Sequence, residues 1–297
     1  MNRAARAGRL SLVRAAPMRH GRDMVDRVIL MTGCSSGIGH AAAHEMRRAG
    51  WRVFASCRQE ADCARLRSEG FEAPRLDYAD EGSIAEALAA VLKASGGRLD
   101  ALYNNGAFAC PGAVEDLPTE ALRAIFETNL FGWHALTRQV IPVMRAQGHG
   151  RIVNCSSVLG YVAAPWRGAY TASKYALEGL TDTLRLEMRG QPIDVVLLQP
   201  GPIGSRMRAN AIPQFERWID WRGSARARDY EGLLHRLYEG GADRWELPAE
   251  AAAQVLRRAL EARRPRARYR VTLPAKAAAL MRRALPDAAL DRVLSGS

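Results

Sequence analysis

Tyr170 and Lys174 are the two residues whose types and spacing point most directly to chemistry. They lie four positions apart in a pattern that predicts a helix over residues 169–189, so their side chains are expected to share one face. A free tyrosine titrates near ~10, and a neighbouring ammonium favours the phenolate by roughly one to three pH units. The pair is therefore expected to exchange a proton with a bound substrate near neutral pH.

The scarcity of lysine strengthens this interpretation. The chain has 43 lysines and arginines, but its lysines are only Lys93, Lys174 and Lys276. A compact ammonium can reach a phenol edge and ribose hydroxyls together, whereas a guanidinium carries a more rigid and diffuse charge. A lysine at position 174, in a chain that otherwise uses arginine, therefore indicates that a compact ammonium is required there.

A second candidate site is a glycine-rich turn between a predicted strand at 27–31 and a predicted helix near 38–49. A dinucleotide pyrophosphate requires close backbone approach and free N–H groups at a helix N-terminus, and glycine permits both. The spacing differs from G-x-G-x-x-G, but the strand before the turn and the helix after it favour phosphate binding over a plain tight turn. The residues of the turn are Thr32, Gly33, Cys34, Ser35, Ser36, Gly37, Ile38 and Gly39, and all except Cys34 are predicted to contact the cofactor.

The end of the second predicted strand should decide which dinucleotide binds. An acidic side chain there would hold the ribose hydroxyls of NAD, but the chain has Ser56-Cys57-Arg58, with no carboxylate before Glu60. Arg58 can form a bidentate contact with a 2′-phosphate, so NADP is predicted over NAD, the alternative being an ordinary surface arginine.

Two later segments are further cofactor candidates. Asp77, after the third predicted strand, is expected to meet the adenine. The run Asn104-Asn105-Gly106, after the fourth, offers side-chain amides and a permissive backbone near the cofactor, although such a run is equally consistent with a simple turn.

The elements that must position these residues alternate along the chain as short apolar runs and longer helical patterns, which is typical of βαβ units. We predict an α/β fold: a single doubly wound Rossmann-type domain over residues 24–272, with a mostly parallel seven-stranded sheet and helices on both faces. Residues 205–245 are predicted to form a helical flap over the substrate, residues 273–297 an amphipathic helical extension, and residues 1–23 a flexible basic tail. The predicted strands are 27–31, 51–56, one ending near Leu76, 99–103, 151–156, 194–198 and 269–272; the predicted helices are 38–49, 61–69, 83–93, 119–145, 169–189 and 248–261.

Composition narrows the function classes. The net charge is +12, but six arginines precede the first acidic residue, Asp23, so no nucleic-acid partner is predicted. That basic start is expected to be a tail, or to reflect a true first residue at Met18 or Met24. The five cysteines form no CxxC pair, which favours a reducing, cytoplasmic location and predicts no metal site. No apolar run reaches the roughly 18 residues that a membrane-spanning helix requires.

The order of these motifs resembles that of the short-chain dehydrogenase/reductase family over about residues 25–205. The resemblance implies that Ser157 hydrogen-bonds the substrate oxygen, Tyr170 transfers the proton, and Lys174 orients the nicotinamide ribose. It also implies that Asn129 holds a water of the proton relay, and it selects Ser157 over Ser156 because thirteen positions separate Ser157 from Tyr170. The matching residues are Thr32 to Gly39, Asn104-Asn105-Gly106, Asn129, Ser157, Tyr170, Lys174 and Pro200-Gly201; cofactor contacts are further expected at Pro200, Gly201, Ile203 and Ser205.

The resemblance also has departures and a subgroup. The family's usual Asn-Asn-Ala-Gly reads Asn-Asn-Gly-Ala here, and Ser205 stands where the family commonly has threonine. The stretch from Tyr170 to Leu180, with the ending at Arg58 and the C-terminal extension, looks like bacterial NADP-dependent aldehyde reductases, which are similar to 17β-hydroxysteroid and retinol dehydrogenases.

Together these features predict an NADP-dependent reductase of an apolar aldehyde or ketone, or the reverse alcohol dehydrogenase, acting as a homodimer or homotetramer. The apolar preference rests on the Trp- and Met-bearing flap, where ordinary core packing is equally consistent with the pattern. The alternatives are a hydroxysteroid or retinol dehydrogenase, a 3-oxoacyl-thioester reductase, and a non-enzymatic NADP sensor or membrane-surface scaffold. The last would use the arginines of 263–270 and the amphipathic tail around 277–294.

Overall fold

A twisted parallel sheet forms the centre of the computed structural model, which describes residues 27–241 and 244–295. The strands run in the order β2-β1-β3-β4-β5-β6, and every pairing is parallel. Their near-continuous apolar sequences match a sheet that is covered on both faces. The predicted tail, residues 1–23, lies outside the described residues. The strands are β1 Arg27–Met31, β2 Trp51–Ala55, β3 Ala101–Asn104, β4 Gly150–Cys155, β5 Ile193–Gln199 and β6 Arg268–Arg270.

The prediction of seven strands is wrong within the described residues, where six strands form. The segment expected to end at Leu76 runs beside β2 but pairs only through two isolated bridges, Phe54 with Glu72 and Cys57 with Arg75. Pro74 lies between the two bridges and has no N–H to donate, so the ladder cannot continue there.

Helices flank the sheet and connect its strands, as the alternating pattern predicts. Helix α1 packs against α9 and α3 packs against α5. The helices are α1 Gly37–Arg48, α2 Glu60–Ser68, α3 Glu81–Ser95, α4 Thr119–Phe126, α5 Gly132–Ala146, α6 Gly168–Glu187, α7 Met207–Trp218, α8 Ala227–Tyr238, α9 Ala249–Glu261, α10 Leu273–Ala284 and α11 Asp287–Ser295.

The single helix predicted over residues 119–145 is interrupted by a π-helical turn, Glu127–Phe131, between α4 and α5. Such turns are rare and frequently mark functional sites. This one contains Asn129, whose side chain is completely buried. Immediately after it, Gly132 lies so close to the chain that an added Cβ would be 2.2 Å from the Tyr78 carbonyl oxygen. The end of the π-helical turn therefore packs closely against the backbone at Tyr78.

The flap and the C-terminal extension form separate additions to this framework. Helices α7 and α8 pack on each other and share a second hydrophobic cluster that contains Phe215 and Tyr230. Helix α10 packs against the turn at residues 158–160 and buries three alanines, while Tyr161 donates to the Ala275 carbonyl over 2.6 Å. Among the described residues, no helix combines the length and apolarity needed to cross a bilayer.

Candidate active site

The carboxyl ends of β1, β3, β4 and β5 open onto one cavity of about 500 Å³. Nine of the twenty predicted site residues line it, including Ser157, Tyr170 and Lys174 but not Asn129. The nine are Ile38, Asn105, Ser157, Tyr170, Lys174, Pro200, Gly201, Ile203 and Ser205. The carboxyl edge of a parallel sheet is the usual ligand position in such folds. The fold thus brings Ser157, Tyr170, Lys174 and some of the predicted cofactor residues to one place.

The glycine-rich turn after β1 is shaped by backbone approach. Gly33 has φ +65°, and an added Cβ would lie 2.4 Å from Gly106 Cα. An added Cβ on Gly39 would lie 2.2 Å from the Gly33 carbonyl oxygen, a contact that the backbone cannot relieve. Asn105 Nδ2 donates to the carbonyl oxygens of Thr32 and Gly33 at 3.1 and 3.2 Å. The turn and the loop after β3 therefore hold each other in one conformation.

A chain of buried side-chain hydrogen bonds runs beneath this turn and crosses the sheet. Thr32 Oγ1 lies 2.7 Å from Tyr78 Oη, and the Tyr78 hydroxyl donates to Asn104 Oδ1 over 2.7 Å. Asn104 Nδ2 donates to Asn154 Oδ1 over 2.9 Å, and Asn154 Nδ2 donates to Thr181 Oγ1 over 3.0 Å. Asn104, predicted as a cofactor contact, is completely buried and takes part in this series of hydrogen bonds. It therefore supports the loop after β3 from below the cavity.

The proton-transfer pair meets at the start of α6. Tyr170 and Lys174 lie one helical turn apart, and Ser157 hydrogen-bonds Tyr170. The Ser157 Oγ also accepts a hydrogen bond from the Leu159 N–H over 3.1 Å, which fixes the side chain while leaving its O–H to donate. Ser156 Oγ, by contrast, is buried with no partner among the described residues. The geometry therefore sets Ser157 beside the tyrosine hydroxyl, in the place that the motif order predicts.

Lys174 is held in a buried site by groups of different kinds. Its side chain is 1% exposed, and its Nζ donates to the Cys155 carbonyl oxygen over 2.8 Å. The same Nζ lies 4.3 Å from the centroid of the Trp133 ring. Burial lowers the pKa of Lys174 to about 8, although Cys155 and Glu178 act to raise it. The lysine is therefore charged at neutral pH with little margin.

The direction of the tyrosine shift differs from the sequence-based expectation. Burial raises the pKa of Tyr170 above its ordinary value, and Cys155 adds to the rise. The hydrogen bond from Ser157 and the charge of Arg167 act to lower it without reversing it. Lys174 does not reverse this rise: its Nζ lies 5.6 Å from the centroid of the Tyr170 ring, and burial is the largest influence on the tyrosine pKa.

Asn129 braces the π-helical turn against the loop after β3. Its Nδ2 donates to the Phe108 carbonyl oxygen over 3.0 Å and to Ser173 Oγ over 3.2 Å, while its Oδ1 accepts from the Phe108 N–H over 3.1 Å. Both amide hydrogens are thus in use. The role of Asn129 in holding a water stays a prediction. Atoms of Asn129 other than these two hydrogens would have to bind that water.

Three further residues are predicted to contact the cofactor, and of these Ser205 lines the cavity whereas Arg58 and Asp77 do not. Arg58 follows β2 and is exposed, and its guanidinium has no hydrogen-bond partner within the described ranges. Asp77 is half-buried, and its Oδ1 accepts from the Ala79 N–H over 3.0 Å. Ser205 Oγ accepts from the Met207 N–H over 3.3 Å at the start of the flap. That these three side chains contact the cofactor stays a prediction.

The flap covers the cavity with different residues from those expected. Met207 lines it, but Trp218 and Trp221 pack on the second hydrophobic cluster, so they form part of the flap's own core. The cavity wall also includes Arg167 and Glu246. The aromatic flap residues therefore give no direct support to an apolar substrate.

Two important residues escaped prediction. Trp133 is 1% exposed, contacts the lysine through its ring, and donates its indole N–H to the Gly106 carbonyl oxygen over 2.8 Å. Tyr78 links the turn after β1 to the loop after β3 through its hydroxyl. Tyr78 directly follows the predicted Asp77, and Trp133 comes four positions after the predicted Asn129. Only their size and their polar tips, which need buried partners, could have indicated them.

Comparisons with known proteins agree with this geometry. A profile of the family described as short chain dehydrogenase matches residues 27–215. An uncharacterized oxidoreductase of Escherichia coli (strain K12), YbbO, is 36% identical over 273 residues, which cover 92% of this chain and 96% of that protein.

Two solved structures are also similar. A short chain dehydrogenase/reductase from Burkholderia phymatum in complex with NAD has a TM-score of 0.73 at 25% identity, covering 86% of this chain and 92% of that one. An actinorhodin polyketide ketoreductase with NADPH has a TM-score of 0.64 at 29% identity, covering 79% of this chain and 90% of that one. Structures of this kind therefore occur with either nicotinamide dinucleotide.

Replacing Trp133 tests how the buried lysine keeps its charge. Trp133→Leu is expected to lower the pKa of Lys174 by about 0.4 to 1.5 pH units, because a cation–π contact contributes about 0.5 to 2 kcal/mol and one pH unit corresponds to about 1.4 kcal/mol. The chain has only three lysines, so a ¹³C NMR titration of protein labelled at lysine Cε resolves Lys174, assigned with Lys174→Met.

Two further variants control this measurement. Trp133→Phe keeps a ring but loses the N–H and should cause a smaller fall. Trp218→Leu removes a tryptophan whose ring partner is Arg217 and should leave the lysine signal in place. An unchanged pKa in Trp133→Leu would contradict the assigned role of the ring.

Proposed function

Because this chain belongs to the family of short chain dehydrogenases, and is an oxidoreductase of that family, we propose that it reduces an aldehyde or ketone with NADPH. The reverse oxidation of the alcohol uses the same groups. The observation that carries the proposal is the grouping of Ser157, Tyr170 and Lys174 around a cavity of about 500 Å³ at the carboxyl edge of the sheet. That volume is in the range that binds small organic molecules.

The residues present fit a dinucleotide. At Gly33 and Gly39 any side chain would collide with backbone, so this stretch is built for close approach at the N-terminus of α1. Asn105 and Ile203 continue the same wall toward the catalytic residues. In the proposed complex the turn after β1 holds the pyrophosphate and Lys174 holds the nicotinamide ribose. The bound dinucleotide supplies the hydride.

The chain's own residues supply binding and the proton. Ser157 is held by Leu159 N–H and presents its O–H to the carbonyl oxygen of the substrate. Tyr170 donates its phenolic proton to the same oxygen as negative charge develops there. The raised pKa of Tyr170 keeps its phenol protonated at pH 7, so the proton that the reduction consumes is held at this hydroxyl. Lys174, charged at that pH, stabilises the phenolate that remains.

Arg58 supports NADP as the cofactor. It is exposed directly after β2, where a ribose-binding acid of an NAD enzyme would stand. A guanidinium there can form charge-assisted hydrogen bonds with a 2′-phosphate. Asp77, two positions beyond a bridge to the same strand, is the proposed adenine contact.

The substrate class follows from the cavity wall beyond the tyrosine. Leu159, Met207 and Ala211 offer apolar surface, which supports an apolar aldehyde or ketone of the aldehyde-reductase subgroup. Arg208 also lines this wall, but its guanidinium donates to the carbonyl oxygens of Gly240 and Gly241, so it holds the flap in place.

We further propose that two copies of this chain associate through α6 and the π-helical turn beside it. Leu180 is 40% exposed, Phe131 and Leu186 are each 52% exposed, and α5 and α6 enclose a groove of about 280 Å³. Contiguous apolar surface of this kind marks protein interfaces. The five cysteines are free and buried, which supports the proposed cytoplasmic location.

Tyr170→Phe tests the proposed mechanism. It should lower kcat/KM for NADPH oxidation by about 10²- to 10⁴-fold with any carbonyl substrate found in a panel of aldehydes and ketones, because the proton donor is lost. The matched control is Tyr175→Phe, on the same helix and 40% exposed, which should retain activity. Equal activity of Tyr170→Phe and the parent protein would refute the mechanism.

Arg58→Asp tests the cofactor proposal. Loss of the charge-assisted contacts should reduce the kcat/KM ratio of NADPH to NADH by about 10- to 100-fold. Arg123→Asp, an exposed arginine on α4, controls for the change in overall charge. If the two variants change the ratio equally, Arg58 does not contact the phosphate.

Leu180→Arg tests the proposed association. A charge in the apolar face should convert the oligomer to monomer in sedimentation velocity. Leu280→Arg, on α10 and 68% exposed, places the same charge on another surface and should not alter the sedimentation coefficient. A parent protein that sediments as a monomer at micromolar concentration would rule the interface out.

A further inference from the structure

Three side chains with metal-binding atoms converge on the side of α1 that faces the end of α2. His40 and His44 lie one helical turn apart on α1, and Glu69 caps the C-terminus of α2. Glu69 Oε2 lies 2.7 Å from His40 Nε2 and 3.1 Å from His44 Nε2. All three ligand atoms lie within 4.8 Å of one another.

We propose that His40, His44 and Glu69 form a binding site for a borderline divalent ion such as Zn²⁺, with a fourth position open to water. Two imidazole nitrogens and one carboxylate oxygen are a donor set that Zn²⁺ accepts, and histidines one helical turn apart present their nitrogens to one point. Ligand atoms around tetrahedral Zn²⁺ are about 3.3 Å apart, close to the 2.7 and 3.1 Å that separate Glu69 Oε2 from the two histidine nitrogens.

The surroundings of Glu69 prepare it to act as a ligand. His40 and His44 both hydrogen-bond its Oε2, and Arg65 donates to its other oxygen, so the carboxylate is held in one orientation. Arg65 donates to Oε1, the oxygen opposite the proposed ion, over 2.5 Å. Such outer contacts orient a ligating carboxylate.

The histidines are also held in place, and one contact opposes the ion. The ring of His44 packs edge-on against Phe71, with centroids 4.9 Å apart. Arg47 donates to His44 Nδ1 over 3.2 Å, which fixes the proton of that ring on Nε2. Metal binding at Nε2 moves this proton to Nδ1 and displaces Arg47. The arginine therefore weakens the site, and the site should favour ions that bind imidazole strongly over Mg²⁺ or Ca²⁺.

The site would stabilise the turn proposed to bind the cofactor phosphates. The His40 N–H donates to the Ser36 carbonyl oxygen, and Arg65 donates to the Ser35 carbonyl oxygen over 2.6 Å. An ion that joins α1 to α2 therefore restrains the middle of that turn, at Ser35 and Ser36. This inference does not depend on the proposed reaction, since its readout is metal binding and thermal stability.

The test uses the full chain, purified without a polyhistidine tag and treated with a chelator. Titration with Zn²⁺ by calorimetry should give one ion per chain, and Co²⁺ should show the visible absorption of a low-symmetry site. His40→Ala, His44→Ala and Glu69→Gln should each weaken binding at least tenfold. At an ion concentration of 100 times Kd, the parent Tm should rise by about 5 °C, a rise that His44→Ala loses.

His235→Ala is the matched control. His235 pairs with Glu239 one turn away on α8, with 3.0 Å between Nδ1 and the carboxylate, but no second histidine completes that pair within the described residues. This variant should bind Zn²⁺ like the parent chain, and Arg47→Met should bind it more tightly. No binding up to millimolar Zn²⁺, or equal binding by His40→Ala, His44→Ala and the parent, would overturn the proposal; circular dichroism verifies that each variant is folded.

Discussion

The buried chain of hydrogen bonds from Thr32 to Thr181 is the constraint on which the rest of the site depends. Each of its polar groups lies inside a sheet covered on both faces, where an unpaired donor or acceptor costs about 1 to 3 kcal/mol. Satisfying all of them requires one mutual placement of β1, β3, β4 and α6. Thr32, at one end of this series of hydrogen bonds, begins the glycine-rich turn, and Thr181, at the other end, lies on α6, the helix of the proposed catalytic pair. The sheet between them therefore fixes the distance from the turn to that helix.

Within that framework, burial governs both members of the catalytic pair in the same sense. It favours the neutral phenol of Tyr170 and the neutral amine of Lys174, raising one pKa and lowering the other. The lysine keeps its charge because Cys155 O accepts from it and the face of Trp133 lies against it. The site thus holds a neutral phenol beside a lysine that is only narrowly charged at neutral pH. Trp133 also donates its indole N–H to the Gly106 carbonyl oxygen, so the ring beside Lys174 is connected to the loop after β3.

Local sequence determined the parts of the structure in which a residue type has one physical use. The glycines of the turn and the Tyr-Lys spacing could be predicted because no other residue type can replace them there. The strands could be predicted because they are short apolar runs. The seventh strand failed because Pro74 removes a donor from a segment that is otherwise strand-like. The rise in the pKa of Tyr170 and the contacts of Trp133 depend on what surrounds them in three dimensions. His40 and His44 are visible as a helical pair, but Glu69 joins them only after α2 folds back on α1.

The flap explains why the sequence indicated a reaction more clearly than a substrate. Its aromatic residues form a second hydrophobic cluster with Ile125 and Ala169, apart from the main core. Tyr230 joins this cluster to the body: its hydroxyl donates to Asp116 Oδ2 over 2.7 Å and accepts from the Ala113 N–H over 3.0 Å. Trp166, with φ +65°, packs edge-on against the same ring, with 4.9 Å between the centroids. Because the flap is stabilised by its own core, residues that face the cavity can change without disturbing the buried chain beneath the catalytic pair. The proposed substrate preference therefore depends on flap positions that line the cavity, such as Met207.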